Sequence, residues 1–143
     1  MFQWGIGKVV DFFMFNERKS GFDSFTKKLM VKEDSRTFCS FFLSLDKVRH
    51  TSNAEIIRNS DVEKSYYYQI IKGNRIPSRD KVIRLCIGAG LSPEETSQAL
   101  ILNENAPLYM NRKRDRAIAY AIERRLSVTE TNLLLVELGV RII

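Results

Sequence analysis

The chain is poor in the residues that usually carry chemistry: one histidine, one tryptophan, two cysteines and three prolines in 143 residues. Each scarcity closes off a class of function. The single imidazole, His50, cannot build a zinc site, which needs three or four nitrogen, sulfur or oxygen ligands. Cys39 and Cys86 stand in apolar stretches, outside any Cys-x-x-Cys pair, and read as two reduced, buried thiols. That usage fits a cytoplasmic protein. There is no glycine-rich phosphate loop, no metal-ligand cluster and no recognisable nucleophile–base pair, so the expectation is a protein that is not an enzyme and has no cofactor and no metal. An alternating strand pattern is missing, as are internal repeats and low-complexity tracts, which leaves an all-α chain.

Long apolar runs are also scarce. The nearest is the N-terminus, with Phe2, Trp4, Ile6, Val9, Val10, Phe12, Phe13, Met14 and Phe15. Lys8 and Asp11 interrupt it, and no small-residue cleavage site follows. It is too short and too charged for a membrane span or signal peptide, and reads as an amphipathic helix docked on the domain or on a partner. No membrane association is expected.

What the chain does have is basic charge and helix punctuation. The net charge is +6, an excess that favours polyanionic partners. It is concentrated: from Lys47 to Arg84 there are nine Lys or Arg against four acids, Glu55, Asp61, Glu63 and Asp80. The organisation is a 1–36 aromatic and amphipathic extension, with a short stretch around Phe22, Phe25 and Leu29, then a compact 37–103 helical domain and a 104–143 helical extension.

Within 37–103 the local signals are dense. Phe38, Phe41, Phe42, Leu45 and Val48 recur at spacings of three and four and predict one helix with an apolar face. Ser52 with Glu55 makes a capping box for a second helix, with Ile56 and Ile57 on its buried side. Asn59, Ser60 and Asp61 supply turn residues, with Val62 as the apolar plug. A third helix is predicted over 63–72, with Tyr67, Ile70 and Ile71 inward, closed by Gly73 in a left-handed conformation. Ser78 caps a fourth helix that Gly88 and Gly90 stop. Ser92, Pro93 and Glu95 open a fifth. Beyond an extended link at 106–109, Asn111 is the expected cap of a helix that begins with the Arg112–Arg116 cluster. Positive charge at a helix start opposes the dipole, so that cluster is either a solvated helix end or a second contact for DNA or an acidic partner. Ser127 and Glu130 box the last helix, which Gly139 ends.

Two short helices, a tight turn, a glycine stop and a basic loop form the layout of a helix-turn-helix, which offers its second helix to the DNA major groove. Residues 38–96 resemble the lambda-repressor/Cro (XRE) family of regulators. The resemblance is carried by Ser52-Asn-Ala-Glu-Ile56, Val62-Glu-Lys-Ser65, Ile70-Ile-Lys-Gly-Asn-Arg-Ile-Pro-Ser78 and Gly88-Ala-Gly-Leu-Ser-Pro-Glu-Glu95. It covers about two-fifths of the chain and implies a five-helix lambda-repressor-like domain, here with helical extensions at both ends.

That likeness implies which side chains meet DNA. The exposed start of the third helix would read bases through Lys64, Ser65, Tyr66, Tyr68 and Gln69. Glutamine can bond bidentately to adenine, and lysine can donate to guanine O6 and N7. Tyr66 and Tyr68 are expected to be exposed together, with Tyr67 in the core. Phosphates would be held by Ser52 and Asn53 at a helix N-terminus, where free amides favour anions, and by Lys72, Asn74, Arg75 and Arg79. Arg58 and Arg84 are weaker candidates, solvated or paired with acids. The chain departs from the pattern at Glu63, where the family has a small hydroxyl residue. An acid suits the helix dipole but lies unfavourably close to a DNA backbone.

The reading is a sequence-specific DNA-binding transcriptional regulator, acting as a repressor, of bacterial or phage type and associated with the nucleoid in the cytoplasm. Its partner is double-stranded DNA, bound as a homodimer through Leu133–Leu138 or the aromatic N-terminus. The alternative, prompted by Glu63, the tyrosine run and residues 1–16, is a protein-binding adaptor, antitoxin or inhibitor on the same fold. It would use residues 1–16 or the C-terminal helices to hold a protein or a protein–nucleic-acid complex.

Overall fold

The computed structural model describes residues 11–12 and 36–143, which form eight helices and no strand. These are α1 (Phe38–Ser44), α2 (Asp46–Arg49), α3 (Asn53–Ser60), α4 (Lys64–Ile71), α5 (Arg79–Gly88), α6 (Pro93–Leu102), α7 (Lys113–Glu123) and α8 (Val128–Glu137). The expectations for 1–10 and 13–35, including Phe22, Phe25 and Leu29, fall outside the described residues.

The first predicted helix is broken in two. Ser44 donates its hydroxyl to the Phe41 carbonyl at 2.7 Å, the acceptor a continuing helix would give to the Leu45 N–H. Leu45 bonds to Phe42 O instead and takes an extended ψ of 134°. The start of α1 is a complete capping box between Thr37 and Ser40 that the apolar spacing did not reveal. At α3 only half of the expected box forms: Ser52 accepts from Glu55 N, with no reciprocal bond. The boxes at α6 and α8 are complete. Asn111 does not cap α7. Arg112 holds the N-cap position without a side-chain bond, since a guanidinium has no acceptor to offer the free amides, and Asp115, three residues into the helix, takes the Tyr109 N–H at 3.1 Å.

Gly88 does not stop α5; it is the helix's last residue, and the left-handed turn comes at Gly90. Its reason is closeness. A Cβ at Gly88 would lie 1.9 Å from Ser60 Oγ, 2.7 Å from Ser60 N and 2.9 Å from its Cα. Here α3 crosses α5, its most extensive packing partner. Ser60 is therefore fully buried rather than a turn residue, and its hydroxyl has no hydrogen-bond partner. The turn falls on Asp61, in the left-handed region at φ 53°.

One apolar core runs from Phe38 through Ile56, Tyr67, Ile70 and Leu85 to Leu108, Ile118, Tyr120, Leu134 and Ile143. Cys86 is fully buried, and burial pushes its thiol up to about 12, so it is inert to thiol reagents while the protein is folded. The extension at 104–143 joins that core through arginines. Arg79 donates to Ala106 O and Pro107 O at 2.9 Å and to both oxygens of Asp115 at 3.1 Å. Arg114 bridges to Asp80 at 3.1 Å and donates to Arg141 O and Ile142 O. Arg84 donates to Asp61 O and Ile143 O, both at 2.7 Å.

The N-terminal segment touches the body at its two described residues. Phe12 is fully buried, edge-on to Tyr120 at 5.7 Å, and Asp11 takes Arg124 at 2.6 Å and the Tyr120 hydroxyl at 3.1 Å.

A smaller ion pair gives an acid-sensitive point. Glu95 accepts from Ser92 N within its capping box and from Lys47 Nζ at 2.7 Å. Burial pushes its carboxyl upward, but the Lys47 and Ser92 hydrogen bonds outweigh it and hold the group below the ordinary 4.5. A depressed carboxylate adds stability above its unfolded pKa and loses it as pH falls through the folded value. Acid titration downward from 4.5 should therefore lower the unfolding midpoint, and Glu95→Gln should make that fall shallower. An equally steep fall in Glu95→Gln would remove Glu95 from the account.

Candidate nucleic-acid interface

The α4 helix hides one stripe and shows the rest. Tyr67 and Ile70 are fully buried, each worth roughly 1.5–3 kcal/mol of apolar burial. Two hydrogen bonds fix the helix axially. The Tyr67 hydroxyl donates to Asn53 Oδ1 at 2.8 Å, tying the middle of α4 to the first turn of α3. The Cys39 thiol donates to Ile70 O at 2.6 Å, tying its end to α1. Burial, with a smaller effect from Tyr68, pushes the Tyr67 phenol up to about 12, so it remains a donor across the ordinary pH range.

The end of α4 is a Schellman closure. Gly73 N bonds to Ile70 O and Asn74 N to Gln69 O, both at 2.9 Å, with Gly73 at φ +76°. This fixes where the basic loop leaves the helix, and glycine is the residue that takes that φ without strain.

The positions expected to read bases are placed as follows. Lys64, Ser65 and Gln69 are exposed. Ser65 donates to Glu63 Oε1 at 2.8 Å, so the departure at Glu63 engages the neighbouring hydroxyl and does not cap the helix. Tyr66 and Tyr68 are half-buried rather than exposed together. Tyr68 packs edge-on against Tyr67 at 5.5 Å. Tyr66 carries two cations on its ring, Arg75 at 4.7 Å and Lys81 at 5.7 Å from the centroid. Lys81 was not singled out by the sequence, which does not show which face of α5 meets α4. Arg75 also donates to Gln69 Oε1 at 3.3 Å.

Among the expected phosphate ligands, Ser52, Asn53, Lys72, Asn74 and Arg75 are exposed. Arg79 is not available. Its guanidinium is occupied by Asp115 and two carbonyls, as described above, and it leaves the set. The basic cluster at the start of α7 is divided: Arg114 is bridged to Asp80, and Arg116 donates to Met110 O at 2.9 Å and lies over Phe12, whereas Arg112, over Tyr109, and Lys113 are exposed. Of the nine cations between Lys47 and Arg84, Lys47, Arg79 and Arg84 are in intramolecular pairs.

On α8 and at its C-cap, Leu134, Leu135 and Leu138 point into the core and cannot form a dimer face. Val136, 64% exposed, and Ile142 are the outward apolar side chains there, and Ile76 in the basic loop is 83% exposed. No described helix is long and apolar enough to cross a membrane, and no metal-holding cluster occurs among the described residues. No protein-family model, characterised protein or solved structure matches this chain.

Proposed function

We propose that this protein is a sequence-specific DNA-binding regulator of the lambda-repressor/Cro helix-turn-helix type, with α3 and α4 as the paired helices and α4 entering the major groove. One observation carries the reading. The exposed face of α4 holds Lys64, Ser65 and Gln69, and it is bracketed by exposed donors at the start of α3 (Ser52, Asn53) and in the following loop (Lys72, Asn74, Arg75). Base-reading groups flanked by phosphate-binding donors are what a major-groove helix requires. Asn53 offers its side-chain amide nitrogen to phosphate, since Oδ1 already accepts from Tyr67. A homodimer on a palindromic site acts as a repressor, with Val136 and Ile142 as its apolar contacts. No catalysis is proposed.

The test is selection from random duplexes. The wild type should enrich a palindrome with half-sites about one helical turn, or a multiple of it, apart. The double variant Lys64→Ala, Gln69→Ala should bind that palindrome roughly 100-fold more weakly, the loss of about two base contacts. Both side chains are exposed, so its melting temperature should not change. Undiminished binding by the double variant, or no enriched sequence, overturns the reading.

A second reading, a protein-binding adaptor, antitoxin or inhibitor, draws on the exposed Ile76 beside the basic loop and on Glu63 holding the Ser65 hydroxyl. It gains if Ile76→Glu releases a co-purifying protein and duplex selection returns no sequence.

A further inference from the structure

The contact between Arg75 and Gln69 bears on which base this site selects, and the argument rests on the DNA-reading proposal above. Arginine is a donor only, so the Gln69 atom it faces at 3.3 Å must be the carbonyl oxygen and not the amide nitrogen. The geometry around this contact is pinned from three directions. Asn74 N bonds to Gln69 O at 2.9 Å, which holds the loop against the helix end. Gly73 sets the exit angle at φ +76°. The Arg75 guanidinium lies 4.7 Å from the Tyr66 ring centroid, and Tyr66 is itself half-buried.

A free glutamine recognises adenine by using both ends of its amide, accepting from N6 and donating to N7. Here the accepting end already meets a cation. That guanidinium repels the amino hydrogens of adenine N6 and attracts the O6 of guanine. Oε1 keeps a second lone pair, but the positive charge beside it opposes an amino group there, so the favoured contact is through Nε2, a pure donor matched to the N7 and O6 acceptors of guanine. The remaining N–H groups of Arg75 stay available to the adjacent phosphate.

We propose that Arg75 is a specificity-determining residue: by placing its guanidinium on Gln69 Oε1 it opposes the approach of adenine N6 and biases Gln69 towards donating through Nε2, so that guanine is selected over adenine at the base it faces. Arg75 thereby couples a backbone contact to a base preference.

The experiment is duplex selection with the full chain, followed by titration of single-base variants of the enriched site, for wild type and Arg75→Met. Methionine keeps an unbranched apolar stem on Tyr66 and removes the donors. The position read by Gln69 is the one where Gln69→Ala flattens the preference. Wild type should favour guanine there by about tenfold or more, the lower range for one bidentate contact. Arg75→Met should move the preference towards adenine and lower the slope of log affinity against log salt by roughly one phosphate contact. Adenine favoured by wild type, or a guanine preference unchanged in Arg75→Met, overturns the assignment while leaving DNA reading intact. No preference at any position overturns it together with the DNA reading. A lower salt slope with the base preference unmoved reduces Arg75 to a phosphate ligand and also overturns it.

Discussion

Asp115→Ala is expected to destabilise the fold by about 3 kcal/mol, read as a fall in the denaturation midpoint with an unchanged slope. Asp115 is 4% exposed, and its two oxygens accept from Arg79 and from the Tyr109 N–H. Removing it strands a guanidinium whose side chain is 24% exposed and leaves a backbone donor unpaired. Breaking a buried pair from one side costs roughly 3–5 kcal/mol, and the lower figure applies because Arg79 keeps two carbonyls and some water. For a chain of this size the melting temperature should drop by about 10 °C. The same variant separates two roles of Arg79. If Arg79 served DNA phosphate, freeing it from Asp115 would raise DNA affinity with little loss of stability, and that result would sink the latch described here.

Gly88→Ala is expected to cost about 3 kcal/mol, at the upper end of overpacking effects. The new methyl group meets Ser60 Oγ, N and Cα below 3.0 Å, and two of those atoms are backbone. A rotamer change at Ser60 cannot relieve them, so α3 must move off α5. Ser60→Ala serves as an internal control. Alone it should be neutral or slightly stabilising, since it removes a buried hydroxyl that has no partner. Combined with Gly88→Ala it should rescue little, because the backbone contacts remain. Full rescue by Ser60→Ala would show that the hydroxyl alone sets the spacing. Because α3 carries Asn53, the partner of Tyr67, its displacement should also weaken DNA binding by the proposed interface.

The helices of 37–103 were legible because their signals are local. Ser78 and Ser92 sit within three residues of the amides they cap, and Gly73 within four of the carbonyls that close α4. The break at Leu45 was not legible, since apolar spacing continues smoothly through it and only the Ser44 hydroxyl diverts the bond. Exposure of Lys64 and Gln69 followed from helical periodicity. The fate of Arg79 did not, because Asp115 lies 36 residues away and nothing local pairs them. The single acid inside the Arg112–Arg116 run was the available hint. Tyr66 failed for a similar reason: its two cations come from a loop and from α5, which meet only in three dimensions.

The arginine links between α5 and the last forty residues bear on how this protein could be shortened. Arg79 and Arg84 donate to groups beyond residue 103, Asp80 accepts from Arg114, and Leu100 packs into the same core as Leu108 and Ile118. A chain cut at that point would not leave an independently stable 37–103 unit. It would strip the scaffold that holds α5, and through α5 the helices α3 and α4. Removing the tail would leave the Arg79 and Arg84 guanidiniums without their partners beyond residue 103 and open the apolar core at Leu100 to water.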